Sequence, residues 1–113
     1  MSFLDDLFEQ FTPQGAVYFL HPDCPAFKGH FPGNPLLPAV VQAGLCADAF
    51  SRRSGKAYEL AQIKRAKFMR PLLPGVRVTV AWIEKSPLYL QCTLTSLDGV
   101  CYSRLQIVLK EHV

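Results

Sequence analysis

At 113 residues, half of them hydrophobic, the chain has material for one ordinary core and one domain, taken as residues 1–113. No apolar run approaches the roughly 20 residues that span a bilayer, and the opening carries Asp5, Asp6 and Glu9 where a targeting leader would be basic, so no membrane span and a cytoplasmic location are expected. A net charge of +3 without a recognised motif or an aromatic-lined basic stripe argues against nucleic acid, and four scattered cysteines, with only His21 near one of them, indicate neither a metal site nor a disulfide framework.

In the opening stretch, Phe3, Leu4, Leu7, Phe8 and Phe11 recur at helical spacing with acids between them. This predicts a short amphipathic N-terminal helix within residues 1–13, capped by Ser2 and ended by Thr12 and Pro13. Residues 16–21, rich in Val, Tyr and Phe, read as the first strand. His21, Pro22, Asp23 and Pro25 then form a turn, and His21 is expected to satisfy that turn because no nearby residue completes a catalytic pair.

The chain is organised around residues 29–50, GHFPGNPLLPAVVQAGLCADAF. Gly33, Pro32, Pro35 and Pro38 make a stiff, shaped loop around His30. After Pro38, which suits a first helical turn, Val40, Val41, Gly44, Leu45 and Ala49 fall near the i, i+4 spacing of a buried helix. An imidazole is thereby aimed at the positive end of a helix, a pairing suited to a carbonyl whose oxygen gains charge as a neighbouring proton leaves. On spacing alone, His30 satisfying loop backbone groups is an equal reading.

Residues 51–56, SRRSGK, fit a helix end and turn. Four strands follow, over 58–68, 76–84, 89–96 and 100–110, divided by Pro-Leu-Leu-Pro-Gly, Ser-Pro and Asp-Gly. In the second of them Val76, Val78, Val80 and Trp82 share one face, with Arg77 and Thr79 on the other. One helix set among antiparallel strands gives an α+β class.

Two stretches carry a family resemblance. GHFPGNPLLPAVVQ resembles the signature of the 3-hydroxyacyl-(acyl carrier protein) dehydratases, and AKFMRPLLPG, residues 66–75, resembles their second hallmark. The resemblance runs over residues 17–108 and implies a hot-dog fold, a long central helix wrapped by a curved antiparallel sheet. It implies that His30 removes the substrate's α-proton, while a carboxylate fourteen residues on, along the helix, assists loss of the hydroxyl. That position here is Gly44, which has no side chain to move a proton. The nearest acid, Asp48, lies one turn along the same face, its Cβ about 5–6 Å away. It is either a relocated acid or a solvated helix residue.

The resemblance also implies a dimer joined edge to edge, with shared active sites that set His30 of one chain facing Asp48 of the other. The acyl chain of an acyl carrier protein or coenzyme A thioester would lie in an apolar channel lined by Phe31, Leu36 and Leu37, residues that composition alone makes core. The backbone N–H groups near Gly33 and at Ala39 and Val40 would polarise the thioester carbonyl, with Gly44 beside the substrate. No cofactor is implied. Lys64, Arg65, Lys67 and Arg70 read either as a solvated strand face or as a docking surface for the acidic carrier protein. Three activities stay open: a dehydratase, an incomplete acyl-binding subunit completed by a paralogue that bears the missing acid, and a hot-dog thioesterase.

Overall fold

A computed structural model describes residues 3–27 and 37–112. Its elements in chain order are α1 (Leu4–Leu7), β1 (Phe8–Thr12), β2 (Gly15–Phe19), a 3-10 turn at Pro25–Phe27, α2 (Ala39–Ser54), β3 (Tyr58–Phe68), β4 (Arg77–Ser86), β5 (Tyr89–Thr95) and β6 (Cys101–Glu111). The strands form one antiparallel sheet in the order β1-β2-β4-β5-β6-β3, and α2 lies against it, touching β3, β4 and β6. One long helix on a six-stranded antiparallel sheet is the expected α+β, hot-dog arrangement.

The helix has two faces. Gln42, Ala43, Leu45, Cys46, Ala47, Ala49 and Phe50 are buried toward the sheet, meeting Val78, Val80, Leu90, Cys92, Leu94, Leu105, Ile107 and Leu109 in one core. Val40, Val41, Gly44 and Asp48 lie on the other side of the helix and are half-buried or exposed, and Ala39, at its first position, is exposed. The helix stops where Gly55 takes a left-handed backbone, φ 72°, and returns its N–H to the Ser51 carbonyl.

The opening differs from the expected helix. Only Leu4–Leu7 is helical, and Phe8–Thr12 runs as β1 along β2. Phe8 and Phe11 are spaced for a helix and would fall on opposite faces of a regular strand. The bulge between Phe8 and Gln10 brings them opposite Tyr18 and Ala16, on one face, and the extended form wins because it pairs the otherwise open edge of β2 while a four-residue helix holds little alone. Phe8 then stacks edge-on against Tyr18 at 5.5 Å, and the guanidinium groups of Arg52 and Arg53 sit over Phe8 and Phe11 at 4.6 and 4.4 Å. Gly15 closes the hairpin at φ 148°, where any Cβ would run into the Val80 carbonyl.

The later strands lie within two residues of their expected limits, and β3 matches throughout. The sheet order places β3 at an edge, paired among the described residues only with β6 and interrupted by two irregularities that bend it, one at Leu60/Gln62 and one at Ile63/Arg65. Beyond Ile63 the strand is exposed on both faces. At the end of the strand Phe68 is 47% exposed, and Leu73 in the connection that follows is 43% exposed.

Candidate active site

The two hallmark stretches meet in space. Leu37 of the first donates its N–H to the Leu72 carbonyl of the second at 2.9 Å, and both side chains are buried. The same turn reaches β2, with Gly75 N–H donating to the Leu20 carbonyl and Leu20 N–H to that of Val76. Residues 71–75 therefore tie the end of β2 to the entrance of α2. His30, Phe31, Gly33 and Leu36 fall outside the described residues. Phe27 before them and Leu37 after them are both in the core.

At the helix entrance Pro38 is the cap, and its carbonyl accepts from the N–H groups of Val41 and Gln42 at 3.1 and 3.0 Å. No side chain caps α2, so the amides of Ala39 and Val40 have no intrahelical acceptor and carry the positive end of a 16-residue helix. Val40 is 62% exposed. These amides lie at the same end of α2 as Leu37, as a carbonyl-polarising role requires.

Gly44 lies on the side of the helix away from the sheet. A Cβ placed on it would meet no other described atom within 4 Å. Among the described residues nothing demands a glycine there, and the space can hold a further side chain or a ligand.

Asp48 is differently placed. Its Oδ2 accepts from the Tyr18 hydroxyl at 2.6 Å and from Arg52 Nε at 2.6 Å, and Arg52 continues to Asp5 at 2.5 Å. Tyr18 is fully buried, and burial, then donation to Asp48, hold its hydroxyl far above the usual phenol range, so it remains a donor. Asp48 is thus an acceptor in a chain joining α1, β2 and α2. A carboxylate that faces two donors and is paired with arginine suits a structural role better than delivery of a proton to a leaving hydroxyl.

The four basic residues of the anticipated docking surface do not share a face. In register, Arg65 opposes Gln106 and Lys67 opposes Arg104, on the side of the sheet away from α2, whereas Ala66 and Phe68 oppose the inward-facing Leu105 and Ser103. Lys64 sits in the irregularity between Ile63 and Arg65, and Arg70 follows the strand with its N–H on the Tyr102 carbonyl. The cluster that does assemble is Arg65, Lys67 and Arg104 around a shallow groove of about 130 Å³, with Gln91 and Gln106 beside it. None of these three cations makes an ion pair among the described residues. Arg104 escaped sequence reasoning because its neighbours come from cross-strand register. Tyr18, Gln42 and Ser103 escaped it too, since each acts through a partner far off in the chain.

His21 makes the turn expected of it, its carbonyl accepting from Cys24 N–H and its ring lying edge-on to Phe19 at 4.4 Å. Among the described residues there is no cluster fit to hold a metal, all four cysteines are free, and no helix is long and apolar enough to cross a membrane.

Comparison with known proteins agrees with this geometry. A curated 3-hydroxyacyl-[acyl-carrier-protein] dehydratase FabZ from Haemophilus influenzae is 42% identical over 45% of this chain and 40% of its own length. Its counterpart from Ehrlichia chaffeensis is 32% identical over 74% of this chain and 64% of its own. The chain thus spans two thirds or less of the length of these relatives. Among solved structures, the dehydratase heterocomplex ApeI:P from Xenorhabdus doucetiae matches with a TM-score of 0.67 at 28% identity, covering 90% of this chain and 92% of that one. The family model described as ApeI dehydratase matches residues 12–104, and the chain belongs to the ApeI-like dehydratases.

Proposed function

We propose that this chain is the histidine-bearing subunit of a 3-hydroxyacyl-thioester dehydratase whose proton-donating acid comes from a partner subunit. The observation that carries this reading is Gly44: the acid's place in the dehydratase pattern is an open glycine, and the next acid, Asp48, is engaged by Tyr18 and Arg52. The similarity to a dehydratase described as a heterocomplex supports a partnered arrangement, and the edge of β3, unpaired on its outer side among the described residues, supports a second subunit alongside it.

In this mechanism the His30 imidazole takes the α-proton of the 3-hydroxyacyl thioester. The amides of Ala39 and Val40, with that near Gly33, stabilise the negative charge that develops on the thioester oxygen. The C3–O bond then breaks, the partner's acid protonates the departing hydroxyl, and water and the 2-enoyl thioester result. Phe31, Leu36 and Leu37 line the acyl channel beside Gly44. The carrier is an acyl carrier protein or coenzyme A, and Arg65, Lys67 and Arg104, which border one groove, form the surface that an acidic carrier meets, with Lys64 and Arg70 adding positive charge nearby in the chain.

The test is to incubate the purified chain with 3-hydroxyacyl and 2-enoyl thioesters, alone and with a paralogous dehydratase subunit that has a Glu or Asp at the position of Gly44, following the enoyl product and free thiol together. Interconversion that appears only on mixing, without free thiol, is the expected result. Full turnover by the chain alone would make it a self-sufficient enzyme, and release of thiol would make it a thioesterase.

A further inference from the structure

Gln42 is 4% exposed, on the face of α2 that meets the sheet, two residues before the open Gly44. A primary amide in a core is costly unless all its groups are satisfied, and here both ends are. Its Nε2 donates to the Leu37 carbonyl at 3.1 Å, and its Oε1 accepts from the hydroxyl of the fully buried Ser103 at 2.7 Å. Leu37 is therefore held by both backbone groups, its N–H by Leu72 and its carbonyl by Gln42. Ser103 belongs to β6, paired on one side with Phe68 of β3 and on the other with Leu94 of β5. One amide thus connects the residue entering α2 to the interior of the sheet.

We propose that Gln42 is a positioning residue: its amide, anchored on Ser103, fixes where the Leu37–Pro38 entrance and the free amides of Ala39 and Val40 stand relative to the sheet. This rests on the dehydratase reading for its kinetic consequence, because those amides face the thioester oxygen there, but not for its geometric one. Gln42 touches no substrate in this scheme. It acts through Leu37, and loss of its donor leaves the Leu37 carbonyl buried and unpaired, free to shift the first turn by a fraction of a turn's rise.

Three variants test it. Gln42→Met keeps the volume and removes both hydrogen bonds. Gln42→Glu keeps an acceptor for Ser103 but can donate to Leu37 only while its carboxyl is protonated, which burial favours. Ser103→Ala removes the anchor alone. Measured in the active assembly, Gln42→Met should lower kcat about tenfold or more with KM changed less than threefold and the protein still folded. Gln42→Glu should be impaired at high pH and regain kcat as pH falls and its carboxyl gains the donating proton, a recovery that neither the original protein nor Gln42→Met shows. Independently of any activity, the Leu37 and Val41 amides should exchange hydrogen faster in Gln42→Met and in Ser103→Ala, with the second half of α2 unchanged. Unaltered exchange at Leu37 and Val41, or activity lost only in proportion to unfolded protein and without the low-pH recovery, would overturn the proposal. If the original protein turns over no thioester in any combination, the dehydratase reading fails while exchange still decides the role of Gln42.

Discussion

The two sides of α2 obey different rules. The side toward the sheet is filled by apolar groups, and its one polar side chain, Gln42, is fully bonded, so each residue there is explained by packing. The other side carries an exposed Val40 and a Gly44 with space around it, features that packing among the described residues does not explain. Asp48, one turn further along that side, belongs with the first group through Tyr18 and Arg52. A residue whose surroundings are complete is answering to stability, whereas a gap on an otherwise close-packed helix points to something outside the chain.

The largest effect should fall on the histidine that meets this open side in the dehydratase scheme. His30→Ala should lower turnover of the active assembly by about a hundredfold or more, the range for a lost general base, while thermal unfolding stays where it was. Unchanged turnover would take His30 out of the mechanism.

Next comes Gly44→Glu. If the gap marks an acid held by the partner, restoring one should raise turnover of the chain without its partner from background to a level at least tenfold above it. Gly44→Ala, which adds no acid, should leave activity at background and stabilise the isolated chain by about 0.5–1 kcal/mol, because a helical glycine with free space gains from a Cβ. Loss of stability in Gly44→Ala would mean that the position is crowded and the contrast between the two sides false.

Asp48→Asn should show the opposite pattern. It removes the charge that Arg52 pairs with and weakens the bond from buried Tyr18, so the unfolding free energy should drop by about 1–3 kcal/mol with kcat per folded molecule little changed. Abolished turnover in a stably folded Asp48→Asn protein would instead make Asp48 the relocated acid.

The smallest effect is expected at the basic strand. Reversing Lys64 and Arg65 to Glu should weaken binding of an acyl carrier protein severalfold and flatten its dependence on salt, while a short pantetheine thioester reacts as before. The same reversal at Arg104 should act as strongly as at Arg65, since both border one groove. Equal loss on both substrates would point to a folding defect.

The helix and the last four strands were legible because turn residues punctuate them and each apolar run has a single period. Phe8 and Phe11 have the spacing of a helix, and only pairing with β2, through a bulge between Phe8 and Gln10, makes them strand neighbours on one face. In the site, the motif around His30 and the vacancy at Gly44 can be read from consecutive residues. The bonds that assign Asp48 and Gln42 cannot, because Tyr18 lies 30 residues from Asp48 and Ser103 lies 61 from Gln42. Likewise the charge run on β3 is visible as a run, but the irregularity at Ile63/Arg65 decides which of its members share a face.

The sheet order also sets a timetable. β3 follows α2 directly in the chain, yet its only partner among the described residues is β6, with Tyr58 opposite Glu111 and Phe68 opposite Ser103. During synthesis β3 therefore has no β6 to pair with until more than thirty further residues have been made, whereas β1 and β2 are neighbours in the chain as well as in the sheet. The basic residues crowded on the waiting strand repel other copies of it over that interval, so the charge that distinguishes β3 in the finished protein also guards the nascent chain against strand-to-strand association.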